Sequence, residues 1–149
     1  MRAFLAIAFI GVAAASAASS PMIGNGYGAR EAPRDIDPAR LGQLFCESRV
    51  AGDMSALTSY FAPKLKSVLD GVPAGEVPWQ SRNSAPTGCT VEIVNGYADT
   101  IGVLVKVTYV SPAGGWSDTL NLERAPATWL LNNVFYEGGG NLRFRLFEH

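Results

Sequence analysis

The hydrophobic period of the chain changes once, at Cys89, and that change limits the folds open to it. Upstream, apolar residues recur at helical spacing. Asp37-Pro38 is a helix start: Asp caps free N–H groups and Pro suits the first helical position. Leu41, Leu44, Phe45 and Ser48 then share one face, and Gly52 ends the helix. A second helix is expected from Asp53, with Met54, Leu57, Tyr60 and Phe61 on one face, until Pro63 disfavours helical backbone at Ala62. A third, short one carries Leu65, Val68 and Leu69 inward and stops at Gly71. These stripes read as core packing. Residues 71–88 hold three prolines, lack a period and read as a long loop.

From Cys89 onward apolar residues alternate with polar ones. Val91 and Ile93 mark one strand, and Ile101, Val103, Val105, Val107 and Tyr109 a second. Trp116 to Glu123 and Thr128 to Tyr136 are the third and fourth. Turn-forming residues separate them at 95–99, 112–115 and 125–127. After three glycines, Leu142, Phe144 and Leu146 alternate with Arg143 and Arg145, which reads as a short fifth strand and nearly as well as a helical turn. The expected fold is α+β: N-terminal helices packed on one face of a curved antiparallel sheet of four or five strands.

The N-terminus has a different character. Arg2 precedes an apolar run from Ala3 to about Ala15, followed by Ala15-Ser16-Ala17. A charged start, a short apolar core and an Ala-x-Ala ending are what a signal peptidase requires. The run is shorter than the roughly 20 apolar residues that span a bilayer. Residues 1–18 are therefore expected to be a signal peptide, cleaved after Ala17 or Ala18. Residues 19–36, rich in Gly, Ser, Ala and Pro, are a flexible lead-in, and 37–149 form the single domain. Gly24, Gly26 and Gly28 alternate without a preceding strand, so a phosphate-binding loop is not indicated. The expected location is periplasmic or secreted, with no membrane span after cleavage.

Loss of Arg2 takes the formal net charge from −1 to about −2. Neither sign forms a run along the chain, which argues against a nucleic-acid or anionic-membrane surface. Two cysteines remain, Cys46 and Cys89, and in an exported protein two cysteines usually pair; buried free thiols are the alternative. The one histidine is His149 at the chain end, and no CxxC is present, so no metal site and no cofactor are expected.

Asp118 stands out. Trp116, Asp118, Leu120 and Leu122 share the apolar face of the third strand. A carboxylate there sits near the open end of the sheet, is paired with a base (Lys106, Arg49 or Arg82), or acts as an acid–base group. Trp79, in the long loop, is a core plug or a ligand wall.

Three stretches carry a resemblance: Tyr60-Phe61-Ala62-Pro63-Lys64-Leu65, Pro78-Trp79-Gln80-Ser81-Arg82-Asn83, and Trp129-Leu130-Leu131-Asn132-Asn133-Val134-Phe135-Tyr136 followed by glycines and Leu142-Arg143. Over roughly 37–147 the chain resembles the cone-like, nuclear-transport-factor-2-like (cystatin-like) superfold, and more narrowly an exported bacterial family of unknown function within it. In relatives the pair at 132–133 is often acidic; here both are Asn. The superfold includes isomerases, dehydratases and binding domains, so the resemblance leaves activity open. It implies a cone interior where enzymes place a carboxylate and a Tyr. Asp118 with Tyr60 or Tyr109 would be that set, and Trp79, Trp116, Tyr109 and Tyr136 would line a pocket. Three functions fit: a non-catalytic binding module for a protein or small apolar ligand, an isomerase or hydratase, and an inhibitor or immunity protein using a loop at 71–88 or 112–115. Self-association stays open.

Overall fold

The computed structural model of the chain describes residues 34–96 and 101–148. The expected signal peptide, most of the lead-in, the tip of the first hairpin and His149 lie outside the described residues. All described residues belong to one compact unit, Glu31–His149.

Helix α1 spans Pro38–Ala51. The Asp37 carboxylate accepts the Arg40 N–H at 2.8 Å, and Gly52 closes the helix in a left-handed conformation with φ 69°. Leu41, Phe45, Cys46 and Ser48 form its buried face. Gly42 lies where the helix crosses the sheet: a Cβ there would come 2.7 Å from Val105 Cγ1.

The second expected helix is instead a 3-10 turn, Ser55–Tyr60. Asp53 accepts the Ser55 N–H at 2.9 Å, a local turn that competes with an α-helical start. Helix α2, Pro63–Leu69, follows the break at Ala62. At that break Phe61 bridges Leu131 in parallel and the Ala62 N–H reaches the Leu131 carbonyl at 2.8 Å, hooking the helical half to the sheet edge. The long loop contains one more 3-10 turn, Ala74–Glu76.

Strands β1 (Gly88–Asn95), β2 (Gly102–Val110), β3 (Trp116–Arg124) and β4 (Trp129–Phe135) form an open antiparallel sheet in sequence order. Val103, Val105, Val107 and Tyr109 pair across to Leu122, Leu120, Asp118 and Trp116 on the inward face. Between β3 and β4 the register slips, so that Asn121 faces Asn133 and Leu122 faces Leu131, with Asn132 left over as a bulge. Helix α1 packs on β1 and β2, while α2 packs on β4.

The final segment corrects the fifth-strand expectation: Leu142–Phe147 is a helix, α3, packed on β4 and α2. Asn141 caps it by accepting the Phe144 N–H at 3.0 Å. Leu142 and Leu146 are buried one turn apart, while Phe144, which a strand would turn inward with them, is 58% exposed. Cys46 on α1 and Cys89 on β1 form a disulfide with Cα atoms 5.9 Å apart. Among the described residues no helix is long and apolar enough to cross a membrane.

Candidate functional site

The inward face of β3 carries Asp118 into the core, where it is 1% exposed. It pairs with none of the cations proposed from sequence. One oxygen, Oδ2, accepts the backbone N–H of Ser81 at 2.8 Å; the other, Oδ1, accepts that of Glu137 at 3.0 Å. The buried carboxylate thus joins the loop before β1 to the segment after β4 through charge-assisted bonds. Arg49 instead sends Nε and Nη2 to Gln80 Oε1, at 3.0 and 2.9 Å. Burial pulls the Arg49 guanidinium below its ordinary range, with Tyr109 opposing that shift. Arg82 lies 3.5 Å from Glu137 and over the Trp116 ring. Lys106 is on the other face of the sheet, opposite Glu92 and Thr119.

The same loop is fastened at further points. Gln80 Nε2 donates to the carbonyls of Arg82 and Ser84, and Tyr136 Oη donates to the Pro78 carbonyl at 2.5 Å. Trp79 is buried, stacked on Phe61 and edge-on to Phe45. Tyr109 and Trp116, opposite each other on β2 and β3, stack with centroids 4.9 Å apart. Trp79, Tyr109, Trp116 and Tyr136 are all buried with the core cluster.

Tyr109 Oη, Trp116 Nε1 and Ser81 Oγ are buried without a hydrogen-bond partner. Tyr109 and Asp118 are therefore neighbours that do not form a hydrogen-bonded acid–base pair. Burial pushes the Tyr109 hydroxyl well above the usual phenol range; the Asp118 charge adds to this and Arg49 opposes it. Burial also pushes Tyr136 up to about 12, with Arg145 opposing and Asp118 adding. Tyr60 sits at the end of its 3-10 turn, and its hydroxyl donates to the Arg34 carbonyl at 3.3 Å.

A second region was not marked as a site by the sequence. Between α2 and α3 lies an open groove of about 400 Å³ lined by Val68, Asn133, Asn141, Arg143, Phe144 and Phe147. Its floor is a net of amides. Asn133 Oδ1 accepts the N–H groups of Val134 and Arg143, at 2.9 and 3.1 Å, and its amide donates to Asn141 Oδ1 at 3.0 Å. Bulge residue Asn132 accepts from Arg143 Nη1 at 3.2 Å and donates to Asn121 at 3.1 Å. The two Asn residues thus anchor α3 and hold the Arg143 side chain in place. Phe144 and Phe147 stand out from this floor, 58% and 82% exposed. A helical reading of 142–147 would have found them, because it separates Leu142 and Leu146 from Phe144 and Phe147.

Among the described residues no group of three or more His, Cys, Asp or Glu side chains could hold a metal ion. Comparison of the chain with protein-family models, curated proteins and solved structures gives no match.

Proposed function

We propose that the chain is an exported, non-catalytic interaction module whose contact surface is the groove between α2 and α3. The observation that carries this reading is the pair Phe144 and Phe147, exposed beside a fixed Arg143 on a helix anchored by side-chain hydrogen bonds. Large apolar side chains grouped on a rigid, polar-rimmed surface are the usual form of a docking site. The interior supports the same reading. Both oxygens of Asp118 bind backbone N–H groups, and the aromatic residues around it pack on one another.

Export is part of this proposal. The leader-like N-terminus and the Cys46–Cys89 disulfide both suit an oxidising compartment, periplasmic or extracellular. The order of helices followed by a four-stranded meander is compatible with the nuclear-transport-factor-2-like, cystatin-like superfold, and the assignment to it, and to an exported family of unknown function within it, is carried by the sequence resemblance alone.

A photo-reactive phenylalanine analogue at position 147, in the chain expressed by its own host, tests the surface. The expected result is a discrete cross-linked adduct on irradiation, with none from the same analogue at Thr119 on the opposite sheet face. No adduct from position 147 or 144 rejects the reading.

A further inference from the structure

We infer that the partner at this groove is a second copy of the chain, paired through antiparallel α3 helices about a two-fold axis. The inference rests on the reading above that the groove is a contact surface. Leu142 and Leu146 point into the core, which fixes the outward face of α3. At 3.6 residues per turn, that face is centred on Phe144 and Phe147, flanked on one side by Glu148 and on the other by Arg143, which is half-buried with its Nη1 on Asn132; Arg145 lies beyond the flank, over the Tyr136 ring at 4.5 Å. Glu148, the C-cap, keeps helical backbone and so continues the face.

This four-residue face is complementary to itself. Let two copies of α3 run antiparallel, with the axis passing midway between Arg145 and Leu146. Phe144 then meets Phe147 of the second copy, and Arg143 meets Glu148 of the second copy. The two-fold axis repeats both contacts. Each apolar ring finds an aromatic partner and each charge finds its opposite. Asn132 already holds the Arg143 guanidinium in position. Val68 lines the groove into which the Phe147 rings would settle. A face with only apolar residues would fit many partners. One carrying its own counter-charge at the symmetry-related position favours itself over partners of other charge pattern.

Burying four phenyl rings, each covering at most about 250 Å², stays below the roughly 1,600 Å² of a standard stable interface. The dimer is accordingly weak and depends on concentration.

Sedimentation equilibrium of the disulfide-bonded mature chain over a wide concentration range is the test. A reversible monomer–dimer equilibrium is expected. Phe147→Ser, at an exposed position that leaves the core intact, should weaken it at least tenfold. Glu148→Arg alone should weaken it several-fold, while Glu148→Asp, which keeps the counter-charge and leaves the Arg143–Asn132 bond untouched, should retain most of it. A chain that stays monomeric throughout, or a dimer indifferent to Phe147→Ser, overturns the self-pairing. Cross-linking from position 147 separates the two proposals. A monomeric chain that cross-links to a different protein sinks the self-pairing and leaves the contact surface standing; a monomeric chain with no adduct sinks both.

Discussion

At the scale of single residues, Asp118 is the most informative position. Its carboxylate satisfies two buried backbone N–H groups belonging to segments far apart in sequence. Asp118→Ala removes two charge-assisted bonds and leaves both donors without partners, which should cost about 3 kcal/mol or more. Asp118→Asn should lie between, because an amide offers one acceptor where two are needed. Urea denaturation measures both, and an Asp118→Ala protein as stable as wild type would show that the two bonds hold nothing. Alternation alone placed Asp118 on the inward face. Its partners were not legible, because a backbone N–H in a loop has no signature in a hydropathy pattern. The tyrosines give a pH prediction. Tyr136 is raised from 10 to about 12 and Tyr109 is raised as well, so the folded state holds protons that the unfolded state releases first. The stability this contributes is complete below about pH 10 and is lost as pH rises through the folded-state values. Phenolate absorbance should therefore appear together with unfolding. Full ionisation of all tyrosines near pH 10, with the near-ultraviolet dichroism intact, would contradict it.

At the scale of elements, the contact of α1 with the sheet yields a prediction in which two effects oppose. Alanine is favoured over glycine within a helix by about 1 kcal/mol. A Cβ at position 42, however, would meet Val105 Cγ1 at 2.7 Å, and Val105 is fully buried on a central strand with a stiff, branched side chain. Overpacking of this kind costs about 1–3 kcal/mol. Gly42→Ala should therefore destabilise by roughly 1 kcal/mol net, seen as a lower urea midpoint with an unchanged slope; a higher midpoint would mean that α1 lifts off the sheet freely. The elements also show which sequence signals suffice. Helix α1 and the four strands were legible because caps, period and turn residues agreed over many positions. Residues 142–147 were not, because Leu142 to Leu146 alternate apolar and basic over five residues, which fits a strand, while Leu142 and Leu146 also fit one helical face. What decides is Asn133, eight residues before Asn141, which accepts the Arg143 N–H while Asn141 accepts that of Phe144. The second helix was misjudged for a related reason: Asp53 closes a short turn on Ser55. The exposed pair Phe144 and Phe147 on α3 was hidden by the same strand reading, since a strand would have turned Phe144 inward with Leu142 and Leu146.

At the scale of the whole molecule, the Cys46–Cys89 bond joins the helical half to the sheet across 43 residues of chain. The closed segment contains the 3-10 turns, α2 and the loop that Asp118 and Gln80 fasten. Its closure removes conformations mainly from the unfolded state, which on the chain-entropy model stabilises by about 4 kcal/mol. Domains of this size have total stabilities of roughly 5–15 kcal/mol, so the bond is a large fraction of the whole. The folded state has other reasons to keep α1 in place: Leu41 and Phe45 are buried against the core, and Asp37 and Gly52 cap the helix ends. Reduction should therefore leave the far-ultraviolet dichroism unchanged without denaturant, while lowering the urea midpoint substantially. It should also steepen the transition, because the reduced unfolded chain is less compact and exposes more surface. The Cys46→Ala, Cys89→Ala double variant should behave as the reduced protein does. Equal midpoints for oxidised and reduced forms would mean that the bond contributes nothing to folding. The predicted gap has a consequence for handling the protein: kept reduced, residues 34–149 should fold but resist proteolysis less well than the disulfide-bonded form, and oxidation of the purified protein should recover the difference.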